Sequence, residues 1–187
     1  MDTVDVREAE ATDAGAFAAF IRRAWAEAGP GAPGFAGATD DAIEDIARHD
    51  AFIERITDAR QQLFLACDAA DVVGFCALRA IDDATVELAG IIVGAGHAGR
   101  GIGTMLVERA LDAAASHGHR TCVVRTETTN VAARSFYERC GFTDASQGIE
   151  VVDGIGIEVC ELRRSLGEEP EGDLSRSNPP SAARSVD

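Results

Sequence analysis

A chain of 187 residues has the length of one ordinary domain, and its 46 % apolar content is enough for a sizeable core. Thirty-two acids against 17 bases give a formal charge of −15, a field that repels phosphate backbones and so disfavours nucleic acids and anionic membranes as partners. No run approaches the roughly 18 apolar residues of a membrane helix, and Met1–Arg7 lacks the basic-then-apolar layout of a secretory signal, so a cytoplasmic protein is expected.

The first strand is expected over Thr3–Glu8, followed by a helix from Thr12 or Asp13 to about Glu27, with Phe17, Phe20, Ile21 and Ala24 at helical spacing. Gly29–Gly37 reads as a flexible loop from its Gly/Pro content. A second helix is expected from Thr39 to about Arg60, with Ile43, Ile46, Ala47, Phe52, Ile53 and Ile56 on its apolar side. Gln62–Cys67 and Val72–Leu78 flank a tight turn at Asp68–Asp71 and should pair as a hairpin. Thr85–Val93 is the next strand and runs into the glycine-rich Gly94–Gly103. A helix from Gly101 to about Ser116 carries Ile102, Leu106, Ala110 and Ala113 on one side, and Thr121–Thr126 is a further strand. Asn130 can cap a short helix, which Gly141 stops in a left-handed conformation. Gln147–Val152 and Ile155–Leu162 then form a hairpin around Asp153-Gly154. From Gly167 the chain is polar and rich in Gly, Pro and Ser, so the division expected is a domain over 1–166 and a disordered tail over 167–187. The order of elements places the fold in the α/β or α+β range, a mixed sheet with helices on it.

The five cysteines, Cys67, Cys76, Cys122, Cys140 and Cys160, are scattered without a CxxC pair, as expected for reduced, buried thiols in a cytosolic protein. No Cys/His group has zinc-like spacing, so no metal is expected. All 17 bases are Arg. An acidic chain without Lys resembles proteins from organisms that keep molar salt in the cytoplasm, whose acids form a hydrated shell. An acidic protein from a GC-rich genome is the alternative.

Three ligand-binding readings compete for Gly94–Gly103. Gly94-Ala-Gly96-His-Ala-Gly99 satisfies the dinucleotide pattern G-x-G-x-x-G. That geometry would bury Gly101 and Gly103 in the first helical turns, at about 0.8–1 kcal/mol each, and the next strand lacks the required acid. A phosphate loop of the Walker type needs Lys where Ile102 stands, which excludes it. If the helix starts at Gly101, the N–H groups of Gly99, Arg100, Gly101, Ile102, Gly103 and Thr104 converge at its positive end, an anion site built from backbone alone. A turn that merely connects strand to helix is the plain alternative.

Val93-Gly-Ala-Gly-His-Ala-Gly-Arg-Gly101-Ile-Gly103, followed by Asn130-Val-Ala-Ala133-Arg-Ser-Phe136-Tyr137-Glu-Arg-Cys-Gly141-Phe142, resembles the GCN5-related N-acetyltransferase (GNAT) superfamily over roughly residues 3–164. Two positions depart from that pattern: Ala98 replaces the usual Gln or Arg, and Ala95 the usual Pro. The resemblance implies a largely antiparallel central sheet with helices on both faces, and acetyl-CoA as donor. It further implies pantetheine along Ile91-Ile92-Val93 and pyrophosphate on the loop Ala98, Gly99, Arg100, Gly101, Ile102, Gly103 and Thr104. Asn130 is then either a plain helix cap or a cap that also hydrogen-bonds the cofactor region. Tyr137, the only tyrosine, is a core residue by spacing alone; the family motif makes it the acid that protonates the leaving sulfur.

The amine must lose a proton, and histone-type members of the family carry a glutamate where Glu87 stands. Flanked by Val86 and Leu88, it would be partly desolvated and a better base; as a surface residue on the strand's other face it would do nothing. The ribosomal-protein alanine acetyltransferases place their glutamate where Arg125 stands, and Glu127 is a second, weaker candidate on the same strand face. The expected activity is transfer of an acetyl group from acetyl-CoA to a primary amine of unknown identity. Transfer of another short acyl group, or a non-catalytic acyl-CoA sensor, are the alternatives. Homodimerisation is compatible with the family.

Overall fold

The computed structural model describes residues 4–28, 38–69, 71–152 and 155–167. Its strands are Asp5–Glu8 (β1), Gln61–Asp68 (β2), Asp71–Ala80 (β3), Thr85–Val93 (β4), Thr121–Glu127 (β5), Thr143–Val152 (β6) and Ile155–Ser165 (β7). The helices are Ala14–Ala28 (α1), Asp40–Ala47 (α2), His49–Thr57 (α3), Ile102–Ser116 (α4) and Val131–Arg139 (α5). The strands form one sheet in the order β1-β2-β3-β4-β5-β7-β6, antiparallel at every pairing except β4–β5. Parallel neighbours need a crossover, which α4 supplies. The expected glycine loop at 29–37, the Asp153-Gly154 turn and the tail beyond 167 lie outside the described residues.

Helices cover both faces. On one, α4 and α5 bury Ile102, Leu106, Tyr137 and Phe142 against Phe64, Cys76, Leu88 and Val124. On the other, α1, α2 and α3 bury Phe17, Ile21, Ile43 and Phe52 against Leu63, Leu65 and Val72. No described helix is long and apolar enough to cross a membrane.

The single helix expected from Thr39 to Arg60 is two. Arg48 takes extended angles, φ −65° and ψ 141°, and separates α2 from α3. Geometry explains the break. Ile43 and Phe52 are nine residues apart, about half a turn out of phase on a straight helix, yet they are 2 % and 0 % exposed. A kink between them lets both face one core. The terminal hairpin is also longer than expected: Thr143↔Arg163 and Asp144↔Leu162 extend it, with a register shift between Asp144 and Ser146. Tertiary pairing here overrides the turn-like composition of Thr143–Ser146.

The start of α1 is locked to β1 by one carboxylate. Asp13 accepts from Arg7 Nη1 and Nη2 at 2.8 and 2.7 Å and from the Glu10 N–H at 2.8 Å. The hydrogen bonds from Arg7 hold its carboxyl below the usual range. A depressed carboxylate stabilises the fold above its unfolded value of about 3.9, and that stabilisation is lost as pH falls through the folded value. Asp13→Asn should therefore lower unfolding stability by about 1–2 kcal/mol at pH 7. Denaturant titrations should show the gap to wild type closing in strong acid.

Candidate active site

The β4–α4 corner places the glycine-rich segment at the start of a helix, where the sequence suggests a backbone anion site. After a 3-10 turn at Ala95–His97, Gly99 and Gly101 sit at φ 75° and 80°, and α4 begins at Ile102. Left-handed angles are cheap only without a Cβ, which is why glycine occupies both positions. The first helical donor met by an intrahelical carbonyl is Met105 N–H, bonded to Gly101 O at 3.1 Å. The N–H groups of Ile102, Gly103 and Thr104 thus lie at the positive end of α4 without an intrahelical acceptor. Ala98 differs from the expectation: its N–H donates to Ala95 O at 3.2 Å. Arg100 does not stand free either, since Nη1 lies 2.8 Å from His97 Nδ1 and 3.6 Å from Asp68. At Gly103 a Cβ would meet the Phe136 ring at 3.2 Å, so glycine lets α4 and α5 approach closely.

Beside this corner the sheet opens. β4 pairs with β5 only over Thr85–Glu87 against Thr121–Val123. Its pairing with β3 shifts register between Ala77 and Leu78, leaving Ala89 as an extra residue. Such a bulge bends and twists a strand, here at the point where β4 leaves β5. From Leu88 to Val93, β4 keeps β3 on one side and presents its other edge to a cleft of about 820 Å3. An open strand edge is a ready template for an extended amide chain. Leu88–Ile92 form one wall of the cleft, Arg125, Thr126 and Glu127 the other, and Asn130, Phe136 and Tyr137 also line it.

Asn130 caps α5, its Oδ1 accepting from Ala133 N–H at 3.1 Å. That cap places Tyr137 two turns on, 7 % exposed, with its ring against Phe136 and Phe142. Burial pushes the phenol up from its ordinary value, so Tyr137 remains a proton donor across the working range of pH. The five cysteines are buried and unbridged. Burial raises the Cys76 thiol and lifts Cys122 to about 12, so neither is an ionised nucleophile.

The carboxylates divide sharply. Glu87 is buried, 7 % exposed, and is held by two guanidinium groups. Arg125 Nη1 donates to its Oε1 at 3.0 Å, and Arg79 grips Oε2 through Nε at 3.1 Å and through Nη2. It does not line the cleft, whereas Arg125 does. Arg125 also reaches Glu161 at 3.1 Å and Glu150 at 3.7 Å. Glu127, one wall of the cleft, has no ion pair or side-chain hydrogen bond among the described residues. Among those residues no group of three or more His, Cys, Asp or Glu is placed to hold a metal ion.

Residues 23–142, well over half of the chain, match the acetyltransferase (GNAT) family. The chain belongs to that family. A curated relative, N-alpha-acetyltransferase 30 from Schizosaccharomyces pombe, is 48 % identical over 44 residues, which is 24 % of this chain and 29 % of the relative. The chain thus spans under a third of that relative's length. Among solved structures, yncA of Salmonella typhimurium, determined with its cofactor acetyl-CoA, superposes with a TM-score of 0.68 at 21 % identity, over 91 % of this chain and 98 % of its own. The ribosomal-protein-S18-alanine N-acetyltransferase of Escherichia coli superposes with a TM-score of 0.66 at 19 % identity, over 91 % and 98 %. Likeness at these identities is a likeness of fold.

In this GNAT chain the structure brings Ile91, Ile92, Asn130 and Tyr137 to one cleft. The loop Gly99–Thr104 lies at the end of the strand that forms its wall. Glu87, placed on β4 as expected, is not among the residues lining the GNAT cleft and sits in a charge cluster with Arg79 and Arg125. Two residues that sequence reading missed, Arg55 and Gln61, also line the cleft. A signal existed for Arg55: it follows the buried Phe52 by three residues, a core-facing helical position where an apolar residue is the rule.

Proposed function

We propose that the protein transfers the acetyl group of acetyl-CoA to a primary amine by direct attack in a ternary complex. The observation that carries this reading is the opening of β4 from β5 beside a helix N-terminus, with Tyr137 in the cleft wall. The residues present suit the donor. Unpaired amides of Ile102–Thr104 and the left-handed Gly99 and Gly101 make a cradle for a pyrophosphate, and the open β4 edge suits an amide-bearing pantetheine arm. When bound, the donor supplies a thioester, whose carbon the amine nitrogen attacks as the C–S bond breaks.

The chain's own groups then handle charge and protons. Backbone N–H of Ile92 or Val93 polarises the carbonyl oxygen. The Tyr137 hydroxyl gives its proton to the departing sulfur. We assign the base to Glu127 rather than Glu87. A carboxylate clamped between two guanidinium groups by three hydrogen bonds is a poor base, while Glu127 lines the cleft without an ion-pair partner among the described residues. Glu87 then positions Arg125. Glu127→Gln is expected to lower kcat/KM by about 10²-fold and flatten its pH profile, while Glu87→Gln keeps the profile's shape.

The Lys-free acidic composition supports a cytoplasmic protein adapted to molar salt, so the decisive test is thermal unfolding in about 2 M KCl with and without acetyl-CoA. An upward shift, followed by amine-dependent thiol release, is the expected result. A folded protein without a shift overturns the reading.

A further inference from the structure

Two arginines line the cleft among the described residues, and their surroundings are opposite. Arg125 touches three carboxylates, Glu87, Glu161 and Glu150. Arg55 touches none among the described residues: it makes one hydrogen bond, from Nη1 to Ile46 O at 3.2 Å, at the C-terminal turn of α2. A guanidinium carries five N–H donors, so four remain without a protein acceptor among the described residues. The chain is not short of carboxylates, with 32 acids for 17 arginines, and eight described arginines have found one. Nor does the 29–37 segment between α1 and α2 contain an Asp or Glu.

Leaving a half-buried cation without an ion-pair partner is costly, because its desolvation is not fully offset. Burial lowers the Arg55 pKa from its free value and the charge of neighbouring Glu54 opposes that only in part, although a guanidinium stays charged. Around it the same wall is apolar: Phe17, Ile21, Ile43, Ile46 and Leu63 line the cleft on the α1–α3 side. A cationic acceptor would gain nothing from Arg55 and would be repelled by it. An anionic group would complete its coordination, in a setting where a charged hydrogen bond is stronger than in water. The −15 field of the chain repels anions at long range, so anion binding here has to be local.

We propose that Arg55 recognises a carboxylate on the acceptor, and that the acceptor is a small amine with an apolar body and a carboxylate, an amino-acid-like molecule. This assignment rests on the acetyl-transfer reading of the same cleft. The amine is presented to Glu127 and the thioester, and the carboxylate to Arg55 beside the end of α2.

The test compares leucine, methionine and phenylalanine with their amides, measuring thiol release from acetyl-CoA. The free acids should be preferred by about 10²-fold in kcat/KM. Arg55→Gln should bring that ratio close to one by raising KM for the acids, and Arg55→Lys should restore part of it. The thermal shift with acetyl-CoA confirms that each variant is folded. The proposal is overturned if the amides are used as well as the acids, if the preference survives Arg55→Gln, or if acetyl-CoA binds and none of the acids is acetylated. Absence of any acetyl-CoA shift in the wild type is a different result, which removes the transferase reading itself.

Discussion

Tyr137→Phe should lower acetyl transfer by about 10²-fold or more while acetyl-CoA binding is kept. The change removes one oxygen from a ring that packs at a tilt against Phe136 and edge-on against Phe142, so packing survives and only the proton donor is lost. The departing sulfur needs a proton, so the hydroxyl matters most as the C–S bond breaks. The loss should therefore fall on kcat, with KM for acetyl-CoA little altered. The measurement is steady-state thiol release at saturating acetyl-CoA, with thermal shift as the binding readout. Activity near wild type would make Tyr137 a core residue and pass the acid's role to another group or to water.

Gly101→Val should weaken acetyl-CoA binding by about 10²-fold or more. Gly101 is at φ 80°, where a β-branched residue is strained by about 1–2 kcal/mol or more. Nothing else stands within 4 Å of its would-be Cβ, so the strain arises in the backbone and is relieved by turning the peptide planes that form the cradle. Charge-assisted hydrogen bonds contribute about 1.5–3 kcal/mol each, and misdirecting two of them accounts for the loss. Gly96→Ala is the control, since that glycine has no left-handed φ and its Cβ would also meet open space. Calorimetric titration of both variants decides it: equal affinity in Gly101→Val and wild type would mean that the corner is only a connection.

Much of the fold was legible in the sequence because its signals are short-range. Asn130 and Gly141 mark the ends of α5 through a side-chain cap and a left-handed stop, and both operate within a few residues. The hairpin of β2 and β3 was readable from two apolar runs around a tight turn. The misreading of α2 and α3 came from treating periodicity as if the helix axis were straight, when Phe52 needed a kink at Arg48 to reach the core.

The shape of the corner at the start of α4 was determined by the sequence alone, since glycines at two left-handed positions and the helix start that follows them are local facts of the backbone. Which carboxylate meets a cation and which lines the cleft was decided only by the tertiary structure. Glu87 is held by Arg79, eight residues away, and by Arg125, 38 residues away. Glu127 reaches the cleft from β5 and Arg55 from α3, beside a β4 that carries a bulge where it leaves β5. A backbone dipole array is set by neighbours in the chain; the partner of a buried charge is set by whichever strands the sheet brings alongside.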